Sequence, residues 1–139
     1  MISKKTKYGL KALAHLAKLN SGEKVQVQQI AEKENISHKF LEAIMLTLKN
    51  SGFLGSKKGK NGGYYLIKPA DQIVMSDVIR QLEGPIAMIP CVSLNFYEKC
   101  DDCPDEAACS VHALMLEWRD SSLHVLKNKT LKDLVSQTV

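Results

Sequence analysis

Ser51-Gly52-Phe53-Leu54-Gly55-Ser56-Lys57-Lys58-Gly59-Lys60-Asn61-Gly62-Gly63-Tyr64-Tyr65-Leu66-Ile67 is the stretch that decides the fold. Ser51-Gly52 ends any helix before it, and Phe53-Leu54 opens an extended segment. Asn61-Gly62 signals a tight hairpin, because both central positions of such a turn need positive φ and these residues tolerate it. The run from Tyr64 to Ile67 returns as the second strand. Lys57, Lys58 and Lys60 crowd the tip with Asn61 beside them, so the hairpin presents positive charge able to follow phosphates or enter a minor groove.

Upstream, Leu41, Ile44, Met45 and Leu48 recur at i, i+3, i+4 and i+7, which predicts a helix running to about Asn50 with that face in the core. Ser37, in the turn Asn35-Ile36-Ser37, is its expected N-cap. His38, Lys39, Glu42, Ala43 and Thr47 fall on the opposite face. A shorter helix over 30–34 comes before the turn, with no Ser, Thr, Asp or Asn at its start, and Val25-Gln26-Val27 reads as a short extended piece. Residues 3–19 form an amphipathic first helix, with Tyr8, Ala12, Leu13, Leu16 and Ala17 inward and Lys4, Lys7, Lys11 and Lys18 largely off that stripe. Two helices joined by a tight turn and followed by a lysine-tipped hairpin describe a winged helix-turn-helix, whose second helix enters the major groove.

Downstream, a fourth helix is predicted over 73–83, with Ser76 as its cap and Val78, Ile79 and Leu82 inward, ended by Gly84-Pro85. Val111, Leu114, Met115 and Trp118 then set up a longer helix through Val125 and Leu126. That much apolar surface exceeds what one winged helix can cover, so it reads as a dimer helix. Thr130-Leu131-Lys132-Asp133 resembles a capping box opening a last short helix. The expected organisation is mainly α with a small β-hairpin wing. A winged helix-turn-helix DNA-binding domain spans 1–84, a cysteine-rich cluster or metal loop 85–110, and a dimerisation helix with a C-terminal short helix 111–139.

Charge divides the chain in the same way. Residues 1–68 carry a net +9 and residues 69–139 a net −5, together the +4 of the whole. A basic half of this size suits a polyanion-binding surface, although a solvated set of lysine-rich helix faces would show the same balance. Lys11, His15 and Lys18 interrupt the first apolar pattern, which is unlike a signal peptide. The longest uncharged run, 84–97, holds two prolines and is too short to span a bilayer. A cytoplasmic protein without a membrane segment is expected. No nucleophile, base and orienting group converge, so no enzyme activity is expected.

All the cysteines lie in one stretch, at Cys91, Cys100, Cys103 and Cys109, with His112 three residues after the last. In a reducing compartment such a cluster is more often a ligand set or redox sensor than structural disulfides. An iron-sulfur cluster, a zinc ion held by four cysteines or by three and a histidine, and a disulfide switch all fit these residues. Cys109 and His112, three apart, share a helix face and can reach one centre. Asp101, Asp102, Asp105 and Glu106 among them are expected to be exposed and to disfavour thiolates unless a cation is near. The competing reading from another class is a zinc-stabilised module whose basic half binds an acidic protein.

Over nearly its whole length the chain resembles the Rrf-two (Rrf2) family of bacterial winged-helix transcription regulators, which includes the iron-sulfur regulator IscR and the nitric-oxide sensor NsrR. The resemblance rests on Lys7-Tyr8-Gly9-Leu10, Ile30-Ala31-Glu32, Ile36-Ser37 with Phe40-Leu41-Glu42, and Gly59 with Gly62-Gly63-Tyr64. It continues in Asp77-Val78-Ile79 with Glu83-Gly84, and in Thr130-Leu131-Lys132-Asp133-Leu134. It implies a homodimer held by the long helix on a roughly palindromic double-stranded DNA operator, acting as a repressor or other regulator. His38, Lys39 and Glu42 would lie in the major groove and Lys58 and Lys60 in the minor groove. Lys4, Lys7, Tyr8, Ser37, Lys57 and Asn61 complete the expected DNA-contacting set. Arg is frequent in the family where this chain has Lys58, and lysine lacks the planar fork. The resemblance also implies a 2Fe-2S or 4Fe-4S cluster on Cys91, Cys103 and Cys109, with the Cys-x-x-His pattern of IscR-like members in Cys109 to His112. The loop from Cys91 to Cys103 is longer than usual, and Cys100 makes a fifth candidate for four ligand positions. Where some members use an acidic residue from the partner subunit, this chain has Lys7, which offers no lone pair at neutral pH.

Overall fold

The computed structural model describes residues 2–136. It contains α1 (Lys4–Ala17), α2 (Val27–Glu34), α3 (His38–Asn50), β1 (Leu54–Lys57), β2 (Gly63–Leu66), α4 (Met75–Leu82), α5 (Ser110–Lys127) and α6 (Leu131–Ser136), with single 3-10 turns between some of them. This is the expected helical chain with a two-stranded antiparallel hairpin. Leu54 pairs with Leu66, Gly55 with Tyr65, Ser56 with Tyr64 and Lys57 with Gly63.

The helices form where periodic apolar residues meet a cap. Ser3 Oγ accepts from Thr6 N–H at the start of α1, and Ser37 Oγ accepts from Phe40 N–H at the start of α3. Leu13, Ile30, Leu41, Ile44, Met45 and Leu48 are fully buried and form one core beneath α1, α2 and α3. Burying each such side chain contributes roughly 1.5–3 kcal/mol. Leu131 of α6 joins that core, and the C-terminal segment is stitched to the head by Leu131 N–H donating to Ile73 O at 2.8 Å and Met75 N–H to Lys129 O at 2.9 Å. The last helix starts as expected, with Asp133 accepting from Thr130 N–H at 2.9 Å.

Three local expectations are corrected. α2 begins at Val27 rather than Ile30, because the Gln29 side chain reaches back to cap the start of the helix, with Gln26 N–H donating to Gln29 Oε1 at 3.1 Å. Val25 and Gln26 stay extended, and Val25 makes an isolated antiparallel bridge to Tyr64. The wing is not a two-residue Asn61-Gly62 turn, since Lys57 opposite Gly63 leaves residues 58–62 as the loop and the positive φ values fall on Gly59 and Gly63. Ser76 does not cap α4. Val74 holds that position while bridging Thr130, and Ser76 is buried inside the first turn. The tertiary bridge sets where α4 starts, a constraint with no local signature.

Candidate nucleic-acid interface and thiol cluster

The exposed face of α3 and the wing tip form the basic side of the head. His38, Lys39 and Glu42 are exposed on the first half of α3, and Lys57, Lys58, Lys60 and Asn61 are exposed on the wing. Lys4 and Lys7 are exposed along α1. Two of the expected DNA residues also have structural partners. Ser37 Oγ is engaged as the α3 cap, and half-buried Tyr8 meets Phe40 edge-on, with ring centroids 5.8 Å apart at 84°. An edge-to-face pair of this kind fixes α1 against the start of α3. A residue missed in the sequence, Gln26, ties the head to the wing by donating from Nε2 to Gly62 O at 3.1 Å. Its signal was the glutamine at both N-cap and N3.

Cys91, Cys109 and His112 meet at the start of α5, with Cys100 and Cys103 on the loop before it. Cys91 is buried in the turn Pro90–Val92, and its Sγ lies 3.3 Å from His112 Nδ1. Cys109 is the N-cap of α5, with Sγ accepting from His112 N–H at 3.4 Å. Cys100 is exposed. Partial desolvation, then the negative charge of Cys91, pushes the Cys100 thiol up; desolvation, then Cys109, does the same at Cys103. All four cysteines are free. Among the described residues, no three His, Cys, Asp or Glu side chains already stand as a metal-holding set. The chemistry of the donors still suits a thiolate-ligated group, because thiols held up as Cys100 and Cys103 are lose their protons readily only when a cation offsets the repulsion.

Glu106 departs from expectation. It is half-buried rather than exposed and accepts a hydrogen bond from the Tyr97 hydroxyl, which pushes Tyr97 up to about 12. Asp101, Asp102 and Asp105 are exposed. Arg119, on α5, donates to Val92 O at 2.8 Å and so joins the Cys91 turn to the long helix. Val111, Leu114, Trp118 and Val125 are exposed along α5. No helix of the described residues is long and apolar enough to cross a membrane.

Comparison with known proteins agrees with this architecture. The family model Rrf2, described as an iron-dependent transcriptional regulator, matches residues 2–137. An Rrf2-like helix-turn-helix transcriptional regulator of Rhodobacter capsulatus is 38% identical, over 98% of this chain and 93% of its own length. Among solved structures, CymR, the global cysteine regulator of B. subtilis, superposes with a TM-score of 0.82 at 34% identity, covering 100% of this chain and 98% of its own. IscR of T. potens superposes with a TM-score of 0.75 at 26% identity, covering 98% of this chain and 86% of its own. The family and these relatives are transcription regulators and not enzymes. With the winged-helix head, the hairpin and the order of elements all matching, this chain belongs to the Rrf2 family of transcriptional regulators.

Proposed function

We propose that the chain is a cytoplasmic homodimeric repressor that binds a roughly palindromic DNA operator and responds to iron-sulfur, oxygen or nitric-oxide status through a 2Fe-2S or 4Fe-4S cluster in the cysteine loop. The observation that supports this most directly is the seam at the start of α5, where the Cys91 to His112 contact at 3.3 Å and the Arg119 to Val92 hydrogen bond at 2.8 Å join the thiol group to the long helix.

On this reading residues 1–84 are the reading head, 85–110 the sensing loop, and 111–139 the dimer helix followed by a short helix that returns to the head. His38, Lys39 and Glu42 address the major groove from the Ser37-capped helix, Lys57, Lys58, Lys60 and Asn61 follow the minor groove and phosphates, and Lys4, Lys7 and Tyr8 flank the backbone. Cys91, Cys100, Cys103, Cys109 and His112 are the candidate ligands, five for four places. When bound, the cluster supplies a centre that exchanges electrons or reacts with oxygen or nitric oxide. The chain's own residues supply the coupling. Arg119 makes the order of the Cys91 turn bear on the position of α5, and in a dimer α5 sets the spacing of two heads against half-sites ~34 Å apart. A second reading, zinc in the same loop, draws support from the tight turn in which Cys103 N–H donates to Cys100 O at 3.3 Å, a short Cys-x-x-Cys arrangement common at zinc sites.

Anaerobic purification with an absorbance spectrum and assays for iron, sulfide and zinc tests the cofactor. Stoichiometric iron and sulfide support the cluster, and a colourless protein with one zinc per chain ends that reading while leaving DNA binding intact. Titration with duplex DNA tests the other half. Affinity should fall steeply as salt rises and favour one sequence over its scrambled version, and absence of any such preference would remove the regulator function proposed here.

A further inference from the structure

The recognition helix carries one side chain that its polar role does not explain. Leu41, Ile44, Met45 and Leu48 of α3 are buried together. At 100° per residue, the direction opposite that face is held by Lys39, Ala43 and Leu46, all exposed. Leu46 is 51% exposed. It stands in the middle of a surface bracketed by Lys39, Glu42 and Lys49. Phe40, the other exposed large apolar residue of α3, already has a partner in Tyr8. Val111, Leu114, Trp118 and Val125 lie on α5, where the proposed second chain would cover them.

We propose that Leu46, with the Ala43 methyl beside it, reads the C5-methyl group of a thymine in the major groove, making Leu46 a specificity-determining residue. An isobutyl group has no hydrogen-bonding atom, so it gains nothing from phosphates or from the donor and acceptor edges of the other bases. Thymine alone offers an apolar group on the major-groove floor, and aliphatic contact with that methyl is a recognised form of base reading. The lysines around Leu46 give the charge that brings a duplex onto this face. Leu46 lies about 6 Å further along the helix than Glu42, so the two side chains address different base pairs. The inference rests on the DNA-reading function proposed above and adds to it a base and the residue that selects it.

The test separates the two. Duplexes bound by the purified full chain are selected from a random library, and each thymine of the selected site is replaced in turn by deoxyuridine, which lacks only the methyl. Loss of one buried methyl should weaken wild-type binding about fourfold when one half-site carries it, and about fifteenfold when both do. The Leu46→Ala protein should bind the thymine and deoxyuridine forms equally at that position and keep its discrimination elsewhere. Leu46 is exposed and alanine is the stronger helix former, so the variant should fold, and an unchanged circular dichroism melt checks this. If the site is bound specifically but no deoxyuridine position distinguishes wild type from Leu46→Ala, the thymine assignment is wrong and the regulator function stands. If no sequence is selected at all, both fall.

Discussion

At the residue scale, side chains here act through the charge they present or the charge they hold in place. Lys58 and Lys60 are exposed on the wing loop. If they neutralise phosphates, changing either to alanine should weaken binding to all duplexes alike and reduce the slope of log K against log salt by about 0.9 per residue. An unchanged slope in filter-binding or anisotropy titrations would take them off the DNA. Glu83 has a different duty. It accepts from Thr6 Oγ1, from Ser3 Oγ at 2.7 Å and from Ser3 N–H, pinning the end of α4 to the start of α1. The Thr6 and Ser3 hydrogen bonds hold its pKa below the ordinary glutamate range. Because the folded value is depressed, the stabilisation is complete above the unfolded value and is lost as pH falls through the folded one. Discounted for partial exposure, the network contributes about 1 kcal/mol. Glu83→Gln should therefore lower Tm by about 3 °C at pH 7, and thermal melts of the two proteins should converge as the pH drops below the carboxylate range. A difference that stays constant with pH would mean the carboxylate charge is not what matters.

At the element scale the wing depends on two backbones passing too closely for side chains. A Cβ on Gly62 would stand 2.0 Å from Lys57 O, and one on Gly63, whose φ is +134°, would stand 2.6 Å from the Val25 backbone. Gly62→Ala or Gly63→Ala should open the wing and destabilise the fold by about 2–4 kcal/mol, read by denaturant unfolding, whereas Gly59→Ala meets open space and strains only its own φ of +108°. These glycines also mark how far the elements were legible. The periodic helices and the Ser37 and Thr130 caps follow from local pattern, and so do the core residues of α3. The wing was visible as a hairpin, but its turn was not, because Gly59 and Gly63 take the positive φ that Asn61-Gly62 would locally claim. The helix over 73–83 was legible but its cap was not, because the start of α4 is set by Val74 bridging Thr130, residues far apart in the chain. In the thiol loop, spacing pointed to Cys109 with His112, and Cys109 Sγ accepts from the His112 backbone N–H, but the side chain that meets the His112 ring is Cys91. Loops without periodicity leave such pairings to tertiary structure.

At the scale of the whole molecule the question is what the long helix does. Its apolar residues divide. Leu123 is buried against the chain's own fold, while Val111, Leu114, Trp118 and Val125 are between 49% and 59% exposed. Those four recur at spacings of three, four and seven and form one stripe. Scattered exposed apolar residues are ordinary, but a stripe of this kind along 18 residues of helix marks an association surface. Pairing two such stripes antiparallel or crossed about a two-fold axis would bury Trp118, the largest of them, near the centre, where aromatic residues contribute most. Trp118→Glu should therefore leave the monomer fold intact, since the side chain is half exposed in the single chain, while converting the dimer to monomer at micromolar concentration in sedimentation velocity. Operator affinity should fall by about 100-fold or more, because two linked half-site contacts become independent, while binding to an isolated half-site is unchanged. A Trp118→Glu protein that still sediments as a dimer would place the interface elsewhere, and one that is monomeric yet binds the full operator as tightly as wild type would mean that the two heads do not read it together.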